Sequence, residues 1–177
     1  MFNRLLLALV LTVAARGASG SVVEVTASGF LVKNEVTIRA SPEKVYATLM
    51  HEVGRWWNPE HTYSGDSHNL SIDERPGGCF CERLAPGGAA EHMRMVYIQP
   101  NKVVRMAGAL GPLQGSGLAG SLTWKLIEVS GITTVQLSYS VGGYMQGGFE
   151  KMAPAVDEVL NEQIQRLKVF VEAGKLP

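Results

Sequence analysis

The chain has 177 residues, 46% hydrophobic and 18% charged, and 16 basic residues offset 16 acidic ones to a formal net charge of zero. That composition suits one soluble α+β domain, large enough to own a core and an internal cavity. With no net charge and no basic run, it lacks the electrostatic footprint of a nucleic-acid partner.

Met1 to Arg4 is short and positive, Leu5 to Ala15 is an unbroken apolar run, and small residues follow as far as Ser21. This is the order of a secretory signal, with cleavage expected between Ala15 and Ser21. Residues 1–20 are thus read as signal and residues 21–177 as a single exported, periplasmic domain. The apolar run is short of the roughly 20 residues a bilayer span needs. A membrane anchor stays open as the alternative, since no site fits Ala-x-Ala cleanly, and membrane contact is expected only if the segment is retained.

Phe30 to Arg39 alternates as a strand, with Val32, Val36 and Ile38 on an apolar face that Asn34 interrupts. Ser41 is placed to cap the helix that follows, Pro42 suits its first position, and Glu43 suits its positive end. Val45, Leu49 and Val53 continue its buried face, Gly54 is expected to end it, and Pro59 to stop a short turn begun by Trp56 and Trp57.

From Leu70 the pattern is strand after strand. Ser71–Arg75, Cys79–Leu84, Ala90–Ile98, Lys102–Met106, Gly120–Val129 and Thr133–Val141 are separated by short turns, among them Pro76-Gly77-Gly78 and Ser130-Gly131. Short turns make neighbours antiparallel, so the chain reads as a Gly-rich meander. Phe149 to Ala173 then carries an i, i+3, i+4 apolar stripe, a long helix with Pro154 near its start and Gly174 just past its end. A helix of that length can be laid across a curved sheet, and a cavity remains where the sheet curls more than the helix fills.

Cys79 and Cys81 on one extended strand share a face roughly 6.5–7 Å apart, too far for a disulfide without a bulge or turn. They are read as two small apolar side chains on a buried face. No second cysteine pair completes a metal site. Three histidines, His51, His61 and His68, lie close in sequence with Glu60 and Asp66 between two of them, but without the His-x-x-x-His spacing of a metal helix, so no metal is expected. Nor is there a Gly-x-Ser-x-Gly turn, a phosphate loop or a dinucleotide fingerprint, so no cofactor is expected.

On the strand from Glu91 to Ile98, Met93, Met95 and Tyr97 share one face and His92, Arg94 and Val96 the other. Glu82 is expected opposite His92, a pairing that suits general acid–base work. It equally suits an exposed cross-strand ion pair, and the nearby Arg83 and Arg94 favour that plainer reading. His61, His92, Glu82 and Asp66 are the weak catalytic candidates. Met93 and Met95, with the cysteines, would make a soft apolar face. Trp124 and Tyr139 lie on inward faces of their strands and carry polar tips a ligand can use.

Ala40-Ser41-Pro42-Glu43-Lys44-Val45-Tyr46 followed by Arg55-Trp56-Trp57-Asn58-Pro59 resembles the opening of the START-like, helix-grip (SRPBCC, Bet v 1-like) superfamily. Gly77-Gly78-Cys79-Phe80, Ile98-Gln99-Pro100-Asn101-Lys102-Val103-Val104 and the closing helix are similar to bacterial relatives of the activator of heat-shock ATPase. The resemblance spans roughly residues 29 to 174. It implies a helix-grip fold: a curved antiparallel sheet of about seven strands wrapped around a long C-terminal helix, with two short helices after the first strand. It also implies a small hydrophobic ligand, in the manner of lipid-, sterol- or polyketide-binding members. The Gly-rich segment from Gly108 to Gly117 would be a mobile entrance loop.

The function expected is therefore ligand binding without covalent chemistry. Trp56, Trp57, His61 and Tyr63 would form the mouth, and Met93, Met95, Met106, Trp124, Tyr139, Tyr144 and Met152 would line or gate the cavity. The alternatives are a polyketide cyclase/dehydrase-type enzyme using a His/acid pair, and a co-chaperone-like interaction module, against which the export signal argues.

Overall fold

The computed structural model describes residues 19–177, so the predicted signal lies almost wholly outside the described residues. The elements run β1 (Ser19–Thr26), β2 (Gly29–Ile38), α1 (Pro42–His51), α2 (Val53–Trp56), β3 (Leu70–Ile72), β4 (Cys79–Leu84), β5 (Gly88–Gln99), β6 (Val103–Ala107), β7 (Leu118–Val129), β8 (Ile132–Gly143) and α3 (Met152–Ala173). All strand pairs are antiparallel in one sheet ordered β1-β2-β8-β7-β6-β5-β4-β3, with α3 packed on β2 and β1 and touching α1 and α2. This is the helix-grip fold.

Among the described residues there are eight strands rather than about seven, because β1 precedes the first strand expected from the sequence, and the two short helices follow the second strand. Ser-Gly-Ser-Val-Val-Glu-Val-Thr carries weak alternation for a physical reason. As an edge strand β1 pairs on one side only, is bulged between Val22 and Glu24, and buries Val22 and Val25 only partly while Val23 is exposed. Asn34 keeps its place on the buried face of β2 by donating from Nδ2 to Asp157 Oδ1 on α3 at 3.0 Å.

The turns follow their chemistry. Ser130 and Gly131 take φ values of 53° and 77°, the left-handed pair of a tight hairpin between β7 and β8. Gly174 caps α3 at φ 73°, its amide donating to the Phe170 carbonyl. Ser41 stands at the N-cap of α1 in extended conformation, yet its side chain makes no capping bond. Gly54 does not end α1: the break comes at Glu52, and Gly54 lies inside α2. A Cβ there would stand 2.9 Å from the Ser67 carbonyl oxygen, so glycine is needed for close approach.

Two irregularities in β5 reset the faces read from simple alternation. The ladder to β4 shifts between Phe80 and Cys81, with His92 as the extra residue, and the ladder to β6 shifts between Met95 and Tyr97, with Val96 extra. An extra residue moves everything beyond it to the other face. His92 and Met93 are consequently both buried, and Tyr97 is exposed rather than inward. On β4 it is Phe80 and Glu82 that point inward. Cys79 and Cys81 are half-buried on the outer face, 5.3 Å apart at Cα and joined in a disulfide. The soft inner face expected of the cysteines is therefore overturned, and their separation is shorter than a regular strand allows.

Candidate functional site

The C-terminal half of α3 is sealed: Leu160, Ile164, Leu167 and Val171 are buried against the sheet. Its N-terminal half is not. Met152, Val156 and Val159 are only half-buried, and a cavity of about 370 Å³ opens beneath them. The remaining walls are Trp57 and the loop His61–Tyr63, Leu70, Phe80 and His92 from β3 to β5, Tyr139 from β8, and Leu110, Pro112 and Leu113.

The loop wall is held by α3. The Asn58 amide donates to Gln163 Oε1 at 2.9 Å, Asn58 Nδ2 donates to Glu162 Oε1 at 2.6 Å, and His61 Nε2 meets Glu162 Oε2 at 3.0 Å. Trp57 donates from Nε1 to the His61 carbonyl and sets its ring edge-on to Phe80 at 5.5 Å. The Gly-rich segment forms a short helical turn, Gly111–Ser116, with Leu113 buried, so it is a wall of the cavity. Tyr139 ties that segment down: its hydroxyl donates to the Gly108 carbonyl at 3.1 Å and accepts from the Leu110 amide at 2.9 Å. Burial pushes the Tyr139 phenol up to about 12.

Glu82 and His92 form a buried pair, with His92 Nε2 2.9 Å from Glu82 Oε2. The exposed cross-strand ion pair favoured by the sequence is overturned, because the bulge at His92 swings that ring inward. Glu82 faces Ala90 in the ladder, and His92 reaches it diagonally. Glu82 also accepts from the Tyr63 and Ser64 amides. Burial pushes the Glu82 carboxyl up, but hydrogen bonds from Ser64, from the Tyr63 amide and from His92 outweigh it and hold the group below the ordinary carboxylate range. The His92 ring stacks on Tyr63 at 5.6 Å and leans on Phe80 at 5.3 Å.

Of the residues expected at the cavity, Trp57, His61, Tyr63, Tyr139 and Met152 border it. Six do not. Trp56 is buried behind Trp57, donating to the Thr48 carbonyl and packing on Trp124 at 6.3 Å, so both are core. Met93, Met95 and Met106 are likewise closed into the core, Met95 and Met106 facing each other across β5 and β6. Tyr144 is exposed because β8 ends at Gly143, whose φ of 132° turns the chain away.

Asp66 is not at the cavity. It accepts from the His68 amide and ring on the surface, and those contacts lower its pKa. Each of the four histidines has its own carboxylate: His51 with Glu74, His61 with Glu162, His68 with Asp66, His92 with Glu82. Among the described residues no three His, Cys, Asp or Glu side chains converge as metal ligands would. Glu162 and Phe80 were not singled out from sequence. Phe80 was legible as the residue alternating with two cysteines, whereas Glu162 looked like one more charge on an exposed helix face.

A sheet gripping one long helix, with an aromatic-lined apolar cavity between them, defines a helix-grip protein of START-like fold. Solved structures share it. They include a conserved protein of unknown function, EF2215, from Enterococcus faecalis (19% identity, TM-score 0.59, 86% of this chain and 77% of that one). CalU16 from Micromonospora echinospora is similar at 12% identity and TM-score 0.56, over 90% of this chain and 88% of that one. The Aha1 dimer of Colwellia psychrerythraea is similar at 22% identity and TM-score 0.56, over 82% of this chain and 98% of that one. No family model and no curated protein sequence matches the chain.

Proposed function

We propose that this protein is an exported small-molecule-binding protein that holds a hydrophobic or amphipathic ligand, without covalent chemistry, between sheet and α3. The observation that carries the reading is the cavity itself. About 370 Å³ of apolar space lined by Trp57, Tyr63, Phe80 and Tyr139 lies within the size range of small-molecule sites, toward its lower end. A few fused rings or one short chain suits that space better than a two-chain lipid. Native mass spectrometry of protein purified from its own compartment is expected to find a bound apolar molecule, and the emptied protein to take up a hydrophobic fluorophore. A protein that arrives empty and takes up no probe contradicts the reading.

Two features support export. The N-terminal order is charged, apolar, then small, and a disulfide such as Cys79–Cys81 persists in oxidising compartments. Because β1 pairs from Ser19 onward, a mature N-terminus at or before Ser19 preserves the whole strand. Cell fractionation with N-terminal sequencing tests both points. A second reading, acid–base turnover of the cyclase/dehydrase kind, is favoured by the Glu82–His92 pair beside the cavity. It requires a chemically altered ligand to be released, which product analysis detects.

A further inference from the structure

Cys79 and Cys81 are the chain's two cysteines, and their disulfide closes around a single residue of one strand. Such a bridge does little for the fold as a whole. It joins no two elements, and the stabilisation a disulfide brings by constraining the unfolded chain shrinks with the loop it closes. Its effect is local. Alternate residues of a regular strand stand roughly 6.5–7 Å apart, and the Cys79 and Cys81 Cα atoms are 5.3 Å apart. The bridge shortens β4 at that step.

The shortened step coincides with the irregularity that shapes the cavity wall. The ladder to β5 shifts between Phe80 and Cys81, opposite the extra residue His92. Phe80, enclosed by the bridge, borders the cavity and sets its ring against Trp57 at 5.5 Å and His92 at 5.3 Å. Glu82, next after Cys81, is buried and accepts from the Tyr63 and Ser64 amides of the loop wall. The bridge itself lies on the opposite face of β4, half-buried. Its cross-strand neighbours there, Ser71, Glu91 and Arg94, are all exposed, so a thiol can approach it from solvent without entering the cavity.

Resting on the reading that the cavity holds a small hydrophobic or amphipathic molecule, we propose that Cys79–Cys81 is a redox-active site whose state sets the affinity of that cavity, and that its partner is a dithiol reductant. A partly exposed bridge that closes so small a loop belongs with the labile, regulatory disulfides rather than the structural ones. A thiolate of the reductant attacks one cysteine sulfur, the Cys79–Cys81 bond breaks, and the other sulfur leaves as a thiolate that takes a proton. The reductant's second thiol then displaces the remaining protein sulfur. The protein gains two electrons and two protons, and the reductant departs as its own disulfide. Freed of the bridge, β4 relaxes toward regular spacing, which moves Phe80 and Glu82 and loosens the wall they hold.

The test titrates the fluorophore anilinonaphthalene sulfonate into the full chain before and after reduction with dithiothreitol, with thiols counted by alkylation and intact mass. Reduction is expected to weaken binding about tenfold. The double variant Cys79→Ser, Cys81→Ser is expected to bind as the reduced protein does, with or without dithiothreitol. Amide NMR of the wild type is expected to show Tyr63, Ser64, Phe80 and Glu82 shifting on reduction while β2 and β8 stay still. Equal binding in both redox states, or a bridge that dithiothreitol opens only in denaturant, overturns the redox proposal and leaves the cavity reading intact. Amide shifts that collapse along the whole chain on reduction also overturn it, by showing the bridge to be a structural staple. An oxidised protein that takes up no fluorophore overturns both.

Discussion

Glu82 shows how one residue reports on the whole site. Its carboxylate is fully buried, so it is tolerated only because amides from the 63–64 loop and the His92 ring surround it. Its folded pKa is lowered, so the stabilisation it brings is complete above the ordinary glutamate value near 4.3 and is lost as pH falls through the lower folded value. Glu82→Gln should cost about 2 kcal/mol at neutral pH. The gap from wild type should narrow as pH drops from about 5 toward 3, because the wild-type carboxyl is then being protonated. Urea denaturation across that range checks it, and a gap that does not change with pH would contradict the assignment. Glu82 was legible in the sequence as a partner for His92, but its burial was not, since regular alternation cannot register an extra residue in the neighbouring strand.

Among the elements, the Gly108–Gly117 segment matters most to the site. A run so rich in glycine suggested a loop free to move. The structure uses the glycines differently, to let the chain turn sharply before and after Gly111–Ser116 while Leu113 is driven into the core. One hydroxyl fastens the segment, that of Tyr139, which serves both the Gly108 carbonyl and the Leu110 amide. Tyr139→Phe should destabilise the fold by about 1–2 kcal/mol, and the loss should be local. Amide hydrogen exchange is expected to speed up across residues 108–117 and to stay unchanged in β7 and β8. Acceleration spread evenly over the sheet would show that the tether is not what holds this wall. The sequence marked Tyr139 for its polar tip; that the tip is spent on backbone groups followed from where β8 delivers it.

For the molecule as a whole, the proposed ligand binding rests on a mismatch between sheet and helix. The sheet buries one face along its length, but α3 seals only part of it, and the cavity lies under the half-buried N-terminal turns. Filling that gap should abolish ligand uptake with little effect on folding. Val156→Trp places an indole in the cavity from a half-buried position, and is expected to change stability by no more than about 1 kcal/mol while eliminating fluorophore binding. Undiminished binding would place the ligand elsewhere.

The order of elements from β2 onward, the hairpin at Ser130-Gly131, the cap at Gly174 and the inward faces of β2, β7 and β8 were all settled by the sequence, because each depends on contacts between near neighbours or on a strict period of two. Tertiary structure alone decided which inward residues meet space and which meet one another. Trp56, Trp124, Met93, Met95 and Met106 have the composition of a binding site and are core, while Phe80, His92 and Val156 border the cavity. That division follows from a bulge in β5 and from how far α3 reaches across the sheet, and both come from long-range packing that no local pattern encodes.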